Sequence, residues 1–214
     1  MQKELLEQLR QEYSGRTLDE QSVLEDPLQQ FERWFQEATD AGLPEVNAMT
    51  LATCGIDFKP SARIVLLKGL EHGSFIFYTN YNSRKGKELL WNPYAALLFF
   101  WNELHRQVRI EGRIEKLTPE ESSAYFNSRP EGSKLGAIAS PQSEVIENRR
   151  TLEEKLEHLQ QELEGKPIPR PLHWGGYKVI PNSIEFWQGR TSRLHDRILF
   201  TRVDDTWKME WLAP

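Results

Sequence analysis

Cysteine is almost missing from this 214-residue chain: Cys54 is the only one. A disulfide within the chain is therefore excluded, and so is a cysteine-based zinc site. The five histidines (His72, His105, His158, His173, His195) show neither H-x-x-x-H nor H-E-x-x-H spacing, so no metal site is expected. No G-x-S-x-G elbow, G-x-G-x-x-G turn or P-loop is present. These absences count against elbow-type serine hydrolases, Rossmann dehydrogenases, kinases and P-loop NTPases. No run reaches the roughly 18 apolar residues of a membrane span. The opening Met1-Gln2-Lys3-Glu4-Leu5-Leu6-Glu7 alternates charge with leucine and lacks the apolar centre of a signal peptide. A soluble, cytoplasmic protein without membrane contact is expected. Basic excess is lacking too: the net charge is −5. Binding nucleic acid through a general basic surface is not expected, and any anion must be held by local clusters.

What the chain does have is 38% apolar residues, with seven Trp and ten Phe. That suffices for one folded domain, residues 1–214, carrying a helical segment over about 1–26. Leu5, Leu6 and Leu9 predict a helix over 3–13. Asp26-Pro27 predicts a helix start, an N-cap followed by proline in the first turn, and Leu28, Phe31, Trp34 and Phe35 continue it to about Gly42. Strands are predicted at 48–53, 61–68 and 74–79, the second of them apolar on both faces. A capped helix at 84–91 follows, then strands at 95–101 and 106–117 and a helix from Thr118-Pro119 to Phe126. Residues 127–142 read as a functional loop. A long helix is expected from about Glu144 to Glu164. Strands follow at 177–180, 183–188, 197–203 and 206–211. About eight strands, largely consecutive, with helices inserted around them, suit a small closed or split antiparallel barrel.

One stretch stands out. Glu185-Phe186-Trp187-Gln188 is followed, after four residues, by Arg193-Leu194-His195-Asp196-Arg197. If 193–197 is extended, Arg193, His195 and Arg197 share one face. Such a face is either solvated or an anion site, since three cationic or titratable groups repel one another without a partner. Further basic clusters sit at strand ends and helix starts: Arg63 with Lys68, Arg84-Lys85, and Arg129 with Ser133 and Lys134. Ser83-Arg84-Lys85 combines free helix N-terminal N–H groups with two cations, a reasonable phosphate cradle. Arg63 and Lys68 bracket the apolar run Ile64–Leu67, which argues that they emerge from a buried strand into a pocket.

These residues together resemble the pyridoxine (pyridoxamine) 5′-phosphate oxidase family. The resemblance runs through Arg10-Gln11-Glu12-Tyr13, Arg63-Ile64-Val65-Leu66-Leu67-Lys68, Phe77-Tyr78-Thr79-Asn80, Ser83-Arg84-Lys85 and Arg106-Gln107-Val108. It continues through Tyr125-Phe126-Asn127-Ser128-Arg129-Pro130, Trp174-Gly175-Gly176, the 185–197 stretch and Leu212-Ala213-Pro214. It implies a mainly β, α+β fold, the FMN-binding split β-barrel, and a homodimer with FMN at the subunit interface. The implied reaction oxidises pyridoxine 5′-phosphate or pyridoxamine 5′-phosphate to pyridoxal 5′-phosphate. O2 is the acceptor, H2O2 is released, and the amine substrate also yields ammonia.

Carried over residue by residue, the implied FMN contacts are Arg63, Ile64, Val65, Leu66, Leu67, Lys68, Tyr78, Thr79, Arg84, Lys85, Gln107, Gln142, Ser143, Trp187 and Arg197. Arg63, Arg84 and Lys85 would meet the FMN phosphate. The implied substrate-phosphate ligands are Lys68, Tyr125, Arg129 and Ser133, two cations and two hydroxyls for one dianion. Arg193, Leu194 and His195 match the part that closes over the pyridine ring, with Arg193 and His195 as the catalytic candidates. Arg10, Gln11, Glu12 and Tyr13 match a segment that can fold over the site as a lid. Pro141 beside Gln142 and Ser143 departs slightly from the pattern and bears on that loop. Two other functions compete: a flavin or pyridoxal-phosphate carrier without turnover, and a split-barrel reductase with another substrate. Neither needs both Arg129 with Tyr125 and Arg193 with His195.

Overall fold

The computed structural model describes Tyr13, residues 17–19 and residues 21–214. The helix expected over 3–13, with Arg10, Gln11 and Glu12, lies outside the described residues. Five helices and nine strands follow in the order α1 (Pro27–Asp40), β1 (Ala48–Cys54), β2 (Pro60–Leu66), β3 (Gly69–Glu71), β4 (Ser74–Asn80), α2 (Arg84–Trp91), β5 (Tyr94–Trp101), β6 (Arg106–Lys116), α3 (Pro119–Ser128), α4 (Glu131–Ala139), α5 (Arg149–Glu162), β7 (Trp174–Gln188), β8 (Asp196–Val203) and β9 (Thr206–Trp211). The strand order is β2-β1-β5-β6-β7-β4-β3, with β8 pairing β7 and β9 pairing β8. The pairs β3–β4, β4–β7, β7–β8 and β8–β9 are all antiparallel. This is the expected class, a mostly antiparallel sheet with helices around it. Among the described residues no helix is long and apolar enough to cross a membrane.

The chain divides into two compact units whose boundaries fall inside β1, β5, β6 and β7. The first comprises residues up to 49, 97–111 and 182–214. Its helix α1 starts where expected: the Asp26 side chain accepts from the Leu28 N–H, and Pro27 occupies the first turn. The buried stripe of α1 is aromatic. Phe31 packs on Phe99 at 5.0 Å, and Trp34 meets Phe186 edge-on at 5.3 Å. Strand β6 alternates as a half-buried strand should, sinking Val108 and Ile110 completely. Truncating a fully buried side chain such as Phe31 or Phe186 to alanine would cost about 3–5 kcal/mol.

The second unit comprises residues 50–96 and 112–181. Strand β4 is its centre, buried at six of seven positions. A strand covered on both faces reads as a continuous apolar run, which Phe75-Ile76-Phe77 is. Phe77 sits opposite Tyr177 of β7, ring against ring at 5.6 Å. The Thr118 side chain and Glu121 close a reciprocal capping box at the start of α3.

Five expectations are corrected. Residues 127–142 are not one loop: α4 occupies 131–139, anchored by Leu135 and Ala139, which lie one turn apart and are both buried. Gly132 and Gly136 disguise that anchor pair by breaking the apolar period. The long helix begins at Arg149 rather than 144, because Asn148 caps it by accepting from the Thr151 N–H. Strand β2 is not buried: it ends the sheet, and Ile64 is 64% exposed. Fourth, 193–197 is not one extended run. Thr191–Arg193 forms a 3-10 turn with Ser192 at φ 57° and Arg193 at φ 60°, and β8 begins only at Asp196. Arg193 therefore does not share a strand face with His195 and Arg197. Strand β7, in turn, is one strand of fifteen residues where two were expected. It pairs with β4 up to Val179 and with β8 from Ser183, so Pro181, which has no N–H to donate, falls between the two ladders.

Candidate functional site

In the second unit, a cavity of about 300 Å³ is lined by Ile64, Val65, Leu66, Lys68, Tyr78, Thr79, Lys85, Tyr125, Arg129, Gln142 and Trp174. A second one of about 270 Å³ shares Arg129, Gln142 and Trp174 and adds Ser133, Asn80 and Ser140. Eleven residues named from sequence as site candidates thus line these two cavities. Leu67 is buried beside them in the chain, and its neighbour Lys68 is held by a backbone bond from its N–H to the Ile76 carbonyl.

Lys85 lies in the first turn of α2, whose N-cap Ser83 accepts from the Gly86 N–H. Its ammonium is buried and donates to Thr79 Oγ1 (3.2 Å), Ser83 Oγ (3.4 Å) and Gln142 Oε1 (3.1 Å), all neutral. Burial first, and the charge of Arg63 second, push its pKa down, against the pull of Glu88. A buried cation with only neutral acceptors, at a helix N-terminus, is a fit for a phosphate. Gly86 is required there, since a Cβ would lie 2.1 Å from the Tyr81 carbonyl oxygen.

The two arginines expected beside Lys85 are differently engaged. Glu88, 11% exposed, accepts from Arg63 (3.2 Å) and Arg84 (2.8 Å) and from the hydroxyls of Thr53 and Ser61. Burial alone would raise the carboxyl pKa; those hydroxyls and guanidinium groups outweigh it and hold the pKa at about 2. Arg63 also donates to the Leu51 carbonyl and to Thr53 and Ser61.

Tyr78 of β4, Tyr125 of α3 and Trp174 of β7 form a set of near-parallel rings. Tyr78 and Tyr125 stack at 3.8 Å and 15°, and Tyr78 and Trp174 at 5.5 Å and 11°. Register explains this: Tyr78 pairs with Gly176 and Asn80 with Trp174, so Tyr78 and Trp174 are diagonal neighbours on one sheet face. Burial pushes the Tyr78 phenol up to about 12, so it stays protonated. The guanidinium of Arg129 lies 4.6 Å over Trp174, and its Nη1 is buried without a hydrogen-bond partner among the described residues. Gln142 and Ser143 form the tip of a turn closed by the Glu144 N–H on the Pro141 carbonyl, with Ser143 at φ 72°.

The first unit holds the remaining candidates. Trp187, at the end of β7, packs against His195 at 4.7 Å, and Tyr13 meets His105, Trp187 and His195 at 4.6, 5.7 and 5.7 Å. The Arg190 backbone N–H donates to His195 Nδ1 at 3.0 Å. A backbone N–H can only donate, so Nδ1 is the acceptor and the neutral ring carries its proton on Nε2. Burial and then the charge of Arg193 lower the His195 pKa, against Asp196. Asp196 also pairs with Arg190 (2.9 Å) and accepts from the Leu18 N–H (3.0 Å). Arg193 and Leu194 are exposed. Arg197 is paired with the buried Glu185, which also accepts from Arg109, and donates to the Ala213 carbonyl. Gln107 is half-buried on β6.

Sequence reasoning missed Glu88, Asp196 and Arg190 as site residues, and named Trp174 and Glu185 only within motifs. Glu88 carried a signal, since it stands four residues after Arg84 on a helix. Arg190 and Asp196 meet across the 3-10 turn, which sequence did not show, and the remaining partners lie farther along the chain.

Comparison with known proteins gives a consistent answer. A family model described as pyridoxamine 5′-phosphate oxidase matches residues 35–162. A second, the pyridoxine 5′-phosphate oxidase C-terminal dimerisation region, matches 174–214. The pyridoxine/pyridoxamine 5′-phosphate oxidase of Burkholderia lata is 58% identical over 98% of this chain and 99% of its own. That of Acaryochloris marina is 56% identical over 96% and 94%. Among solved structures, PhzG from Burkholderia lata, in complex with tetrahydrophenazine-1-carboxylic acid, superposes with a TM-score of 0.86 at 30% identity, covering 91% of this chain and 95% of its own. A pyridoxamine 5′-phosphate oxidase-related, FMN-binding protein from Nostoc punctiforme has a TM-score of 0.71 at 16% identity, over 90% and 99%, which speaks for the split-barrel fold alone.

Proposed function

The chain belongs to the pyridoxine/pyridoxamine 5′-phosphate oxidase family, and from that premise we propose that it oxidises pyridoxine 5′-phosphate or pyridoxamine 5′-phosphate to pyridoxal 5′-phosphate. O2 is the acceptor and H2O2 a product, with ammonia from the amine. The observation that carries this is the buried, unpartnered Nη1 of Arg129, in a cavity with Lys68 and Tyr125 and beside Ser133. Two cations and two hydroxyls make a set for a phosphate dianion.

FMN, when bound, supplies the two-electron oxidation. Lys85 and Thr79 would hold its phosphate, with Arg63 and Arg84, fixed by their pairing with Glu88, offering spare N–H groups. Ile64 to Lys68, Tyr78, Gln107, Gln142, Ser143, Trp187 and Arg197 hold the remainder. Arg129, Lys68, Tyr125 and Ser133 fix the substrate by its phosphate. Arg193, Leu194 and His195 orient the reacting C4′ end, where a neutral His195 donates from Nε2. Arg10, Gln11, Glu12 and Tyr13 form the covering segment, a role supported by the rings Tyr13 meets. The working unit is a homodimer with FMN at the interface, supported by the matched dimerisation region and by exposed Ile64, Leu66, Met209 and Trp211. The location is the cytoplasm.

A second substrate class has one observation in its favour, the tricyclic carboxylic acid in the PhzG structure. A carboxylate monoanion leaves part of the four-donor set unused, and relatives named for the phosphorylated substrates are nearly twice as similar in sequence. The test is to purify the yellow protein and follow pyridoxal 5′-phosphate and H2O2 from pyridoxine 5′-phosphate in air. Bound FMN with no aldehyde product would remove the oxidase assignment and leave a carrier or the second substrate class.

A further inference from the structure

We propose that Trp174 is a positioning residue for substrate recognition: its indole face holds the Arg129 guanidinium so that Nη1 is presented to the substrate phosphate. This rests on the assignment of Arg129 to that phosphate. Three observations carry it. The Arg129 guanidinium carbon lies 4.6 Å from the Trp174 ring centroid and 5.8 Å from that of Phe126, and its side chain makes no ion pair among the described residues. Its Nη1 is buried with no hydrogen-bond partner among the described residues, a costly state for a charged donor unless a ligand completes it. Trp174 lines both cavities in which Arg129 takes part, and is itself only 6% exposed.

An arginine that binds phosphate needs its fork aimed before the ligand arrives, because ordering a long side chain on binding subtracts from affinity. Carboxylates do this for many arginines, but a carboxylate here would neutralise the charge the phosphate requires. An aromatic face holds the guanidinium by cation–π attraction and stacking while leaving its N–H groups free. The ring cannot swing away. Trp174 is locked on one side by Phe126 (5.2 Å, 66°), lies parallel to Tyr78 and Tyr125, and is tied through its backbone to Asn80 and Pro171. Burial lowers the Arg129 pKa, consistent with a guanidinium held out of water without a counter-charge.

The experiment is a double-mutant cycle on the FMN-loaded enzyme. The probe is 4-deoxypyridoxine 5′-phosphate, which lacks the oxidisable hydroxyl, titrated calorimetrically beside steady-state kinetics with pyridoxine 5′-phosphate. Trp174→Leu is expected to weaken the probe about 5- to 30-fold, as loss of a desolvated cation–π contact would. Trp174→Phe, which keeps a weaker face, should weaken it by about 2- to 5-fold. In both, KM should rise in step while kcat and FMN content stay within about two-fold. Arg129→Ala should weaken the probe roughly 10- to 100-fold, and adding Trp174→Leu should then change little, because Trp174 acts through Arg129. Multiplying losses in the double variant would overturn the proposal. So would an unchanged affinity in Trp174→Phe, which decides the matter if Trp174→Leu fails to fold. A wild type that binds the probe in a Trp174-dependent way but makes no pyridoxal 5′-phosphate would remove the oxidase assignment and leave this inference standing.

Discussion

Glu88→Gln is the most informative single change outside the substrate contacts. Glu88 is 11% exposed and gathers Thr53, Ser61, Arg63 and Arg84. Its carboxyl titrates at about 2 in the fold against 4.5 for an unperturbed glutamate. Burial acts in the opposite direction, so the hydrogen bonds and guanidinium charges must more than offset desolvation. The difference, 4.5 − 2, is about 2.5 pH units, or an upper value of roughly 3.4 kcal/mol in favour of the folded state at neutral pH. Arg84 is 62% exposed and partly screened, so about 2–3 kcal/mol is the working figure.

The sign follows from the depressed carboxylate pKa. The contribution is fully present above about 4.5 and is lost as pH falls through about 2. At pH 3, roughly 1.4 of the 3.4 kcal/mol remains. Urea denaturation of wild type and Glu88→Gln at one protein concentration should give a penalty of about 2–3 kcal/mol at pH 7, falling to about 1 kcal/mol at pH 3. An equal penalty at both pH values would mean that shape, not charge, is what Glu88 provides. A penalty under about 0.5 kcal/mol at pH 7 would mean that the ion cluster stabilises nothing.

Arg193→Ala should lower turnover far more than FMN content, and equal loss of both would move Arg193 into the flavin site or the fold. The same change should raise the His195 pKa toward 6.5, because the Arg193 charge helps to depress it; nitrogen-15 NMR titration reads this directly. With a depressed pKa, His195 stays neutral at pH 7 and its bond from Arg190 is lost only as pH falls through the lowered value, so an acid limb above 6.5 in that titration would contradict the geometry. Gly176→Ala should cost about 1–3 kcal/mol and alter the near-ultraviolet circular dichroism, since its Cβ would meet Leu117 Cδ1 at 2.4 Å and Tyr78 Cε1 at 2.8 Å. Tyr13→Ala should raise KM several-fold and leave FMN content unchanged, which flavin absorbance and kinetics will separate; unchanged kinetics would detach Tyr13 from the site.

Period and punctuation carried most of the fold. Asp26-Pro27, Ser83 and Thr118-Pro119 are local caps, and their helices follow. What composition hid was α4, where glycines interrupt the Leu135–Ala139 anchor pair, and the exposure of β2, whose apolar residues look buried in sequence yet end a sheet. The 193–197 stretch failed for a backbone reason. Alternation assumes an extended chain, and Ser192 and Arg193 adopt positive φ, which no residue type there announces. Arg63, Lys68, Lys85, Arg129 and Ser133 stood out as clusters at strand ends and helix starts, whereas Tyr78, Thr79, Tyr125 and Gln142 entered only through the family resemblance; Trp174 and Glu185 gave no local signal, because their partners lie 45 and 12 residues away.

The same partners sort the cations. Arg63 and Arg84 are tied to Glu88, and Arg197 to Glu185, so each of these guanidinium groups already has a counter-charge. Among the described residues, Lys85 donates only to neutral oxygens, and Arg129 rests on aromatic rings with Nη1 unpartnered. A paired arginine offers an anion its spare N–H groups but little net charge, because its Coulomb attraction is largely offset by the neighbouring carboxylate. An unpaired buried cation offers nearly its full charge and is relieved of a desolvation cost when the anion arrives. In a chain of net charge −5, an anion in the 300 Å³ cavity would therefore meet Lys68, Lys85 and Arg129, none of which has a carboxylate partner among the described residues. The carboxylate-bound arginines act chiefly to fix geometry around them.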